Sequence, residues 1–458
     1  MGFSYLQYIE GKEDLLYKTF FAGNHMKETN FDKNFDKEIE STYYKFFTEE
    51  EFNQPFQHTA DEINSCTGTD PHLLPNLYLE SIDPLNVEIS LEELHHAIKC
   101  QKTTVKSFDC DSFHPIMIAN IPPIAIKILH KCFNLALENE HWLWDVSNIV
   151  FIKKLSKANY MKPGAYRPIS VSSYVGKLLE RILERRLRSH CMIEDILDDS
   201  QEGFRSSRNT GRYLYKLIAN VKEAQRKKFT AFLLCIDFEK AFDSIWLKGL
   251  TVKLYNWKVR GKFLRLISSF LFNRKVKLII NKNLGNGRAC CGYGVPQGSV
   301  LSLLLFIRYI SDLLDLRRFP LDISSDCMEH SSVYKYADDG SILVVHPDPK
   351  ICNMLAQEFC THISLWCSRW KLVINCDKDK TECLVIGPSS NRQDSSNDLQ
   401  NLKITGKTVS FAKSIRVLGI DIDDNLSFNL HYKRLLQRCW YSWYKITRNS
   451  NRNWGLNI

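Results

Sequence analysis

No stretch of this 458-residue chain reaches the roughly 18 uninterrupted apolar residues that a membrane span requires, and Val300–Ile307 is far too short. No signal peptide opens the sequence, and Met1-Gly2 lacks the Ser or Thr at position 6 that myristoylation needs. Fifteen cysteines are present without one Cys-x-x-Cys pair, which argues against a zinc site or a disulfide framework. Several lie in apolar context (Cys132, Cys235, Cys383), as reduced core residues of an intracellular protein do. Internal repeats are missing, and the one low-complexity patch, Pro388–Asn401, reads as a surface loop. A hydrophobic content of 44% with 25% charged residues is that of a soluble globular chain, long enough for two or three domains.

Acid is missing where it matters most. From Ser244 to Ser311 there is no Asp or Glu against 12 Lys and Arg, and none again from Asn425 to the end. There Lys433, Arg434, Arg438, Lys445, Arg448 and Arg452 interleave with Trp440, Tyr441, Trp443 and Tyr444. Residues 1–100 are the reverse, with 19 acids and 7 bases. Acid-free stretches that mix bases with aromatics suit a polyanion lying across them.

What is present is carboxylate at strand ends. Asp237 closes the run Phe232-Leu-Leu-Cys-Ile236, and Asp338-Asp339 follow Val333-Tyr-Lys-Tyr-Ala337. Ionised carboxylates beside buried strands are costly unless a cation neutralises them. Two Mg²⁺ ions would do so and would serve phosphoryl transfer. Asp-Asp before Gly also suits a plain hairpin turn, so the argument rests on both clusters flanking a basic stretch. A nucleic-acid polymerase is the reading that uses all of it.

Periodicity supplies the coarse frame. Weak helical spacing runs over Glu38–Phe52, and Cys66–Pro75 reads as a loop. Ser90 with Glu93 makes a capping box for a helix to Lys99. Further helices are expected at Pro123–Leu137, Ser173–Arg188, Leu247–Trp257, Lys262–Phe272, Ser302–Leu316 and Lys350–Trp370. Strands are expected at Lys275–Asn281, Arg288–Tyr293, Leu372–Asn375 and Thr381–Ile386, with a hairpin around Asp338-Asp339. The class is α+β.

With the loop Gly292-Tyr-Gly-Val-Pro-Gln-Gly-Ser-Val-Leu-Ser302 added, the chain resembles the reverse transcriptases of non-LTR (LINE-like) retrotransposons. Supporting blocks, in the family's order, are Ile149–Lys154, Ala165–Ser170, Gln201–Ser206, Asn375 with Lys380-Thr381, and Val417–Ile422. The resemblance covers roughly residues 84–445. It implies a right-hand polymerase fold: an acidic extension at 1–83, fingers at 84–230, palm at 231–424 within a whole domain of about 145–424, and the start of a thumb at 425–458. An RNA template, a primer DNA and deoxynucleotides would be the partners. Two Mg²⁺ ions, with Mn²⁺ as the alternative, would be held by Asp237, Asp338 and the Phe238 carbonyl. Asp339 would be an auxiliary acid or a turn residue, and Phe242 a steric gate against ribose or a core ring. Lys153 (or Lys154) and Arg167 would hold the triphosphate, and Gln297 and Gly298 would approach the incoming pair. Lys380 or Lys378 would protonate pyrophosphate, Arg205 would touch template or brace the fingers, and Leu418 and Gly419 would form the primer grip.

The chain departs from the pattern at Leu303, where the family usually has Pro, and in a longer Asn375-to-Lys380 interval. No endonuclease or ribonuclease H segment is read in it, which suggests a missing nicking domain or partner and a shortened thumb. Cytoplasmic ribonucleoprotein and the nucleus are the expected locations. The alternatives are an RNA-binding remnant of an element that has lost catalysis and a carboxylate-pair glycosidase.

Overall fold

The computed structural model describes residues 83–104, 107–154, 160, 163–193, 199–205, 207–280, 283–290, 292–314, 331–377, 380–388 and 402–449. In chain order the helices are α1 (Leu91–Lys99), α2 (Pro115–Ala119), α3 (Pro123–Glu138), α4 (Tyr174–Ile193), α5 (Thr210–Arg226), α6 (Leu247–Asn256), α7 (Gly261–Phe272), α8 (Val300–Tyr309), α9 (Pro349–Trp370) and α10 (Asn429–Asn449). The strands are β1 (Val146–Lys153), β2 (Tyr166–Val171), β3 (Thr230–Ile236), β4 (Lys275–Ile280), β5 (Asn283–Leu284), β6 (Arg288–Ala289), β7 (Ser331–Tyr336), β8 (Asp339–His346), β9 (Glu382–Ile386), β10 (Lys403–Ile404), β11 (Lys407–Thr408), β12 (Ser410–Ala412), β13 (Ser414–Val417) and β14 (Ile420–Asp423). Helices and sheets are mixed, as α+β requires. The regions expected at Glu38–Phe52, Cys66–Pro75 and most of Pro388–Asn401 lie outside the described residues.

Two compact units interleave along the sequence. One takes the described residues up to 193 with 240–311 and 367–373, and the other takes 199–239, 312–366 and 374–449.

In the first unit β1 pairs antiparallel with β2 and parallel with β4, and Ile149, Tyr166, Val276, Leu278 and Ile280 close a small core beneath them. α8 is buried over most of its length, with Leu303 its one exposed residue, as a helix apolar on nearly all sides tends to be. It starts at Val300, two residues before the expected Ser302, because two side chains accept its first amides. Ser299 Oγ takes Ser302 N (3.2 Å), and the fully buried Glu180 of α4 takes Val300 N (2.7 Å), Leu301 N (3.3 Å) and the Ser299 hydroxyl (2.5 Å). A Pro at Leu303 is therefore not needed to set the helix start. The helix also ends early, at Tyr309 rather than Leu316. The strand expected at Arg288–Tyr293 shrinks to Arg288–Ala289.

The second unit is a five-stranded sheet in the order β12-β9-β3-β8-β7, antiparallel except for β12 against β9. β3 is central and almost wholly buried, which is why its sequence reads as an apolar run rather than an alternation. One of its faces receives Tyr213, Leu217, Val221 and Ala224 of α5 together with Ile415, Val417 and Ile422. On the other face, the Cys352 thiol of α9 meets Thr230 O and Val344 O. The expected strand at Leu372–Asn375 is a single bridge, Ile374 to Phe238.

Candidate active site

The sheet register converts the two sequence motifs into one site. Ile236, the last residue of β3, pairs with Gly340, so Asp237 leaves the sheet beside Asp339. Tyr336 pairs with Asp339, which makes Ala337 and Asp338 the two residues of the β7–β8 turn. Asp-Gly is thus not the turn, as its composition suggests, but the start of β8. Ala337 takes the left-handed conformation (φ +54°) that such a turn demands.

Asp237 is fixed on three sides. Its N–H donates to Thr381 Oγ1 (3.3 Å), its carbonyl accepts from Asn375 N (2.8 Å), and its Oδ2 accepts from Asn375 Nδ2 (3.2 Å). Lys380 Nζ lies 3.1 Å from the same Oδ2, so the long Asn375-to-Lys380 interval still delivers its lysine. Lys378 lies outside the described residues. Asp339 is open to solvent as a residue, yet protein crowded around its carboxyl, and then the charges of Asp338 and Asp237, raise it to about 6 against the opposing pull of Lys380. Three carboxylates and one ammonium therefore share the end of β3.

Among the described residues, no group of three or more His, Cys, Asp or Glu side chains is arranged so that it could hold a metal ion as it stands. The donor chemistry nevertheless fits a hard divalent cation: clustered carboxylate oxygens whose mutual repulsion is only partly offset by Lys380. The main-chain bond beside the Phe238 bridge falls on Asp237 O, and the Phe238 ring is buried.

In the first unit, Phe242 is half-buried and stacks on Phe306 of α8, with ring centroids 4.5 Å apart at 19°. Its carbonyl accepts from Val295 N (2.8 Å) in the glycine-rich loop. Gln297 turns inward: Nε2 donates to Asp243 Oδ1 (2.8 Å), while its carbonyl accepts from Ser170 N (2.7 Å). Burial, opposed by that bond and by Lys240, Lys154 and Arg274, raises Asp243 to about 7. Gly298 (φ +112°) is required by the chain itself, since a Cβ there would stand 2.8 Å from Ser170 O. Lys153 pairs with Tyr166 and Arg167 with Ile152, so the two expected phosphate ligands point to opposite faces of the hairpin. Lys153 Nζ rests over the Tyr160 ring at 5.0 Å. Lys154 continues the ladder to Ala165 on the Arg167 side.

Residues 152–422 match the family model described as reverse transcriptase (RNA-dependent DNA polymerase). The chain belongs to the reverse transcriptase family. It is 27% identical over 408 residues to the probable RNA-directed DNA polymerase from transposon BS of Drosophila melanogaster, covering 88% of this chain and 41% of that protein. It is 26% identical over 365 residues to the RNA-directed DNA polymerase from mobile element jockey of the same species, covering 79% and 38%. A third relative, the retrovirus-related Pol polyprotein from type-1 retrotransposable element R2 of Nasonia vitripennis, is 31% identical over 160 residues, covering 35% and 15%. The chain thus spans about two-fifths of the length of the first two. The resemblance drawn from the motifs to polymerases of non-LTR retrotransposons is borne out.

Elsewhere in the chain, Leu418 (φ +45°) and Gly419 (φ +91°) are the two-residue turn of the β13–β14 hairpin. Arg205 lies 3.9 Å from Asp199, with most of its side chain covered. The acid-free stretch 244–311 does not lie open as one basic strip. Lys253 is buried over the Trp370 ring (3.8 Å), Arg308 over Trp257 (4.0 Å), and Arg274 donates to Leu271 O. Lys262, Arg265 and Lys275 pair with Glu138, Glu140 and Asp145. Its bases find acids and rings in other parts of the sequence. Sequence reasoning passed over Glu180 and the Asp243–Gln297 pair, because burial and distant partners leave no local signature. Asn375, named only within a motif, turns out to be the residue that orients Asp237.

Proposed function

We propose that this chain is the polymerase segment of a non-LTR retrotransposon protein, an RNA-directed DNA polymerase that extends a primer 3′-OH with deoxynucleotides on an RNA template. In that reading the fold is a right hand, with fingers at 84–230, palm at 231–424 and a thumb beginning at 425. The observation that carries it is the meeting of Asp237, Asp338 and Asp339 at the end of β3 with Lys380 and Asn375 against them. Asp237, Asp338 and the Phe238 carbonyl are the groups that would hold two Mg²⁺ or Mn²⁺ ions. Bound there, such ions acidify the primer hydroxyl and stabilise the leaving pyrophosphate. Asn375 and Thr381 keep Asp237 aimed at the strand end. Lys380 holds negative charge at Asp237 Oδ2 and has a proton at Nζ to give to the departing pyrophosphate oxygen.

Arg167 and, on its side of the hairpin, Lys154 are the better pair for the triphosphate, because Lys153 faces the core with Tyr160. Phe242 is assigned the steric gate: Phe306 holds one of its faces, and a ring cannot hydrogen-bond a ribose 2′-OH. The exposed bases and aromatics of α10 would follow the duplex. The described cysteines are free thiols, in keeping with a reducing, intracellular setting. A partner or further segment would supply the nick.

Primer extension on an RNA template tests this. The chain should incorporate deoxynucleotides and lose incorporation in Asp338→Ala and in EDTA while still binding RNA. In the same assay Phe242→Val should admit ribonucleotides. RNA binding without any incorporation by the unmutated chain would make it a binding remnant instead.

A further inference from the structure

The segment Ser200–Gly203 lies along β7, the edge strand of its sheet. Lys335 N donates to Ser200 O (2.9 Å) and Glu202 N to Lys335 O (2.8 Å), so Gln201 forms a one-residue parallel bridge with Lys335. Its side chain, buried with the residue at 2% exposure, continues past the strand end. Oε1 accepts from Ala337 N (2.9 Å) and Gly203 N (2.8 Å), and Nε2 reaches Ala337 O at 3.5 Å. One carboxamide thus addresses both polar atoms of the Ala337 backbone, much as a neighbouring strand would. Gly203 stands against the same residue: a Cβ there would lie 2.3 Å from Ala337 N. A left-handed non-glycine residue is strained, and it persists where its surroundings over-determine it.

We propose that Gln201 is a positioning residue for the carboxylate turn: its side-chain amide, with Gly203 beside it, fixes the Ala337 backbone from which Asp338 and Asp339 follow. The catalytic half of this inference rests on the polymerase reading; the bracing half does not. An amide is needed because the contact uses a donor and an acceptor together. Glutamate would face Ala337 O with a second acceptor and add negative charge beside the three aspartates. Methionine keeps the length and loses both bonds.

The experiment uses the full chain with Gln201→Met, Gln201→Glu and Gly203→Ala. Single-turnover incorporation, normalised to active sites by burst amplitude, is read together with deuterium exchange across residues 333–341. Gln201→Met should slow the normalised step on the order of 10- to 100-fold, the usual result of small misplacement of reacting groups. The KM for deoxynucleotide should stay within about two-fold, since ground-state binding is not the target. Exchange at Ala337 and Asp338 should quicken while β3 amides stay protected, and Gln201→Glu and Gly203→Ala should do the same. A loss confined to burst amplitude, with the rate per site intact, would overturn the proposal, as would unchanged exchange at Ala337. No incorporation by the unmutated chain would overturn the polymerase reading and the catalytic half with it, and exchange alone would then decide whether Gln201 fixes the turn.

Discussion

Asp339 holds its proton more tightly than an ordinary carboxyl, and this links the stability of the fold to pH. Its folded pKa, about 6, lies above the ordinary 3.8. Between those values the folded chain binds the proton more tightly than the unfolded one, so stability from this group falls as pH rises through that window. Above about 6 the penalty is complete. Without divalent cations, Asp339→Asn should therefore match the parent near pH 4, gain on it as pH rises to about 6 and level off above that in urea titrations. A difference that does not change with pH would mean an ordinary carboxylate. Asp243, raised to about 7, carries the same sign over a wider window. That Asp237 and Asp338 stand at neighbouring strand ends was legible because each follows directly on a strand-forming run. Which of Lys153 and Lys154 faces the core was not, because that is a parity set by the register of β1 against β2, and two adjacent lysines leave no pattern to read it from.

Elements read well where their own residues dictate them. The Ser90/Glu93 box is present with both bonds at the start of α1, and β3 is the buried strand its composition implies. α5 escaped notice although Asn209 caps it and Tyr213, Leu217, Val221 and Ala224 line one face at helical spacing; its other face is dense with Lys and Arg, which masks the stripe. α8 began early for a reason outside its own sequence. Glu180, a buried acid raised by burial and opposed by the donors it serves, sits at the helix N-terminus, where negative charge is favoured. Glu180→Leu strands three donors, each costing about 1–3 kcal/mol. That variant should lose several kcal/mol in chemical denaturation, whereas Glu180→Gln, which still accepts, should lose far less. Equal losses would mean that packing, not acceptance, is what Glu180 provides.

At the scale of the molecule, charge was the signal most easily misread. The long acid-free stretch looked like a surface for a polyanion, yet several of its bases are internal cations or partners of Glu138, Glu140 and Asp145. α10 keeps its bases and rings in solvent: Trp440 is 69% and Tyr441 61% exposed. Binding of a primer–template should weaken steeply with salt. Changing Lys433, Arg438 and Lys445 to Gln should flatten the log–log slope by about two to three, at roughly 0.7–0.9 per phosphate contact. The same three changes made at Lys253, Arg274 and Arg308 should instead cost stability. A slope unmoved by the α10 changes would place the nucleic-acid track elsewhere.

The central place of β3 carries a consequence for how such a chain tolerates error. Strand neighbours on both sides and packed layers above and below make its frame, more than its spelling, the quantity that matters. Trading one aliphatic for another within Thr230–Ile236 leaves the acid that follows where it was. Dropping or adding a single residue in that span preserves the greasiness almost perfectly and turns that acid toward the opposite layer, so one-residue indels there should dismantle the carboxylate cluster sooner than most substitutions.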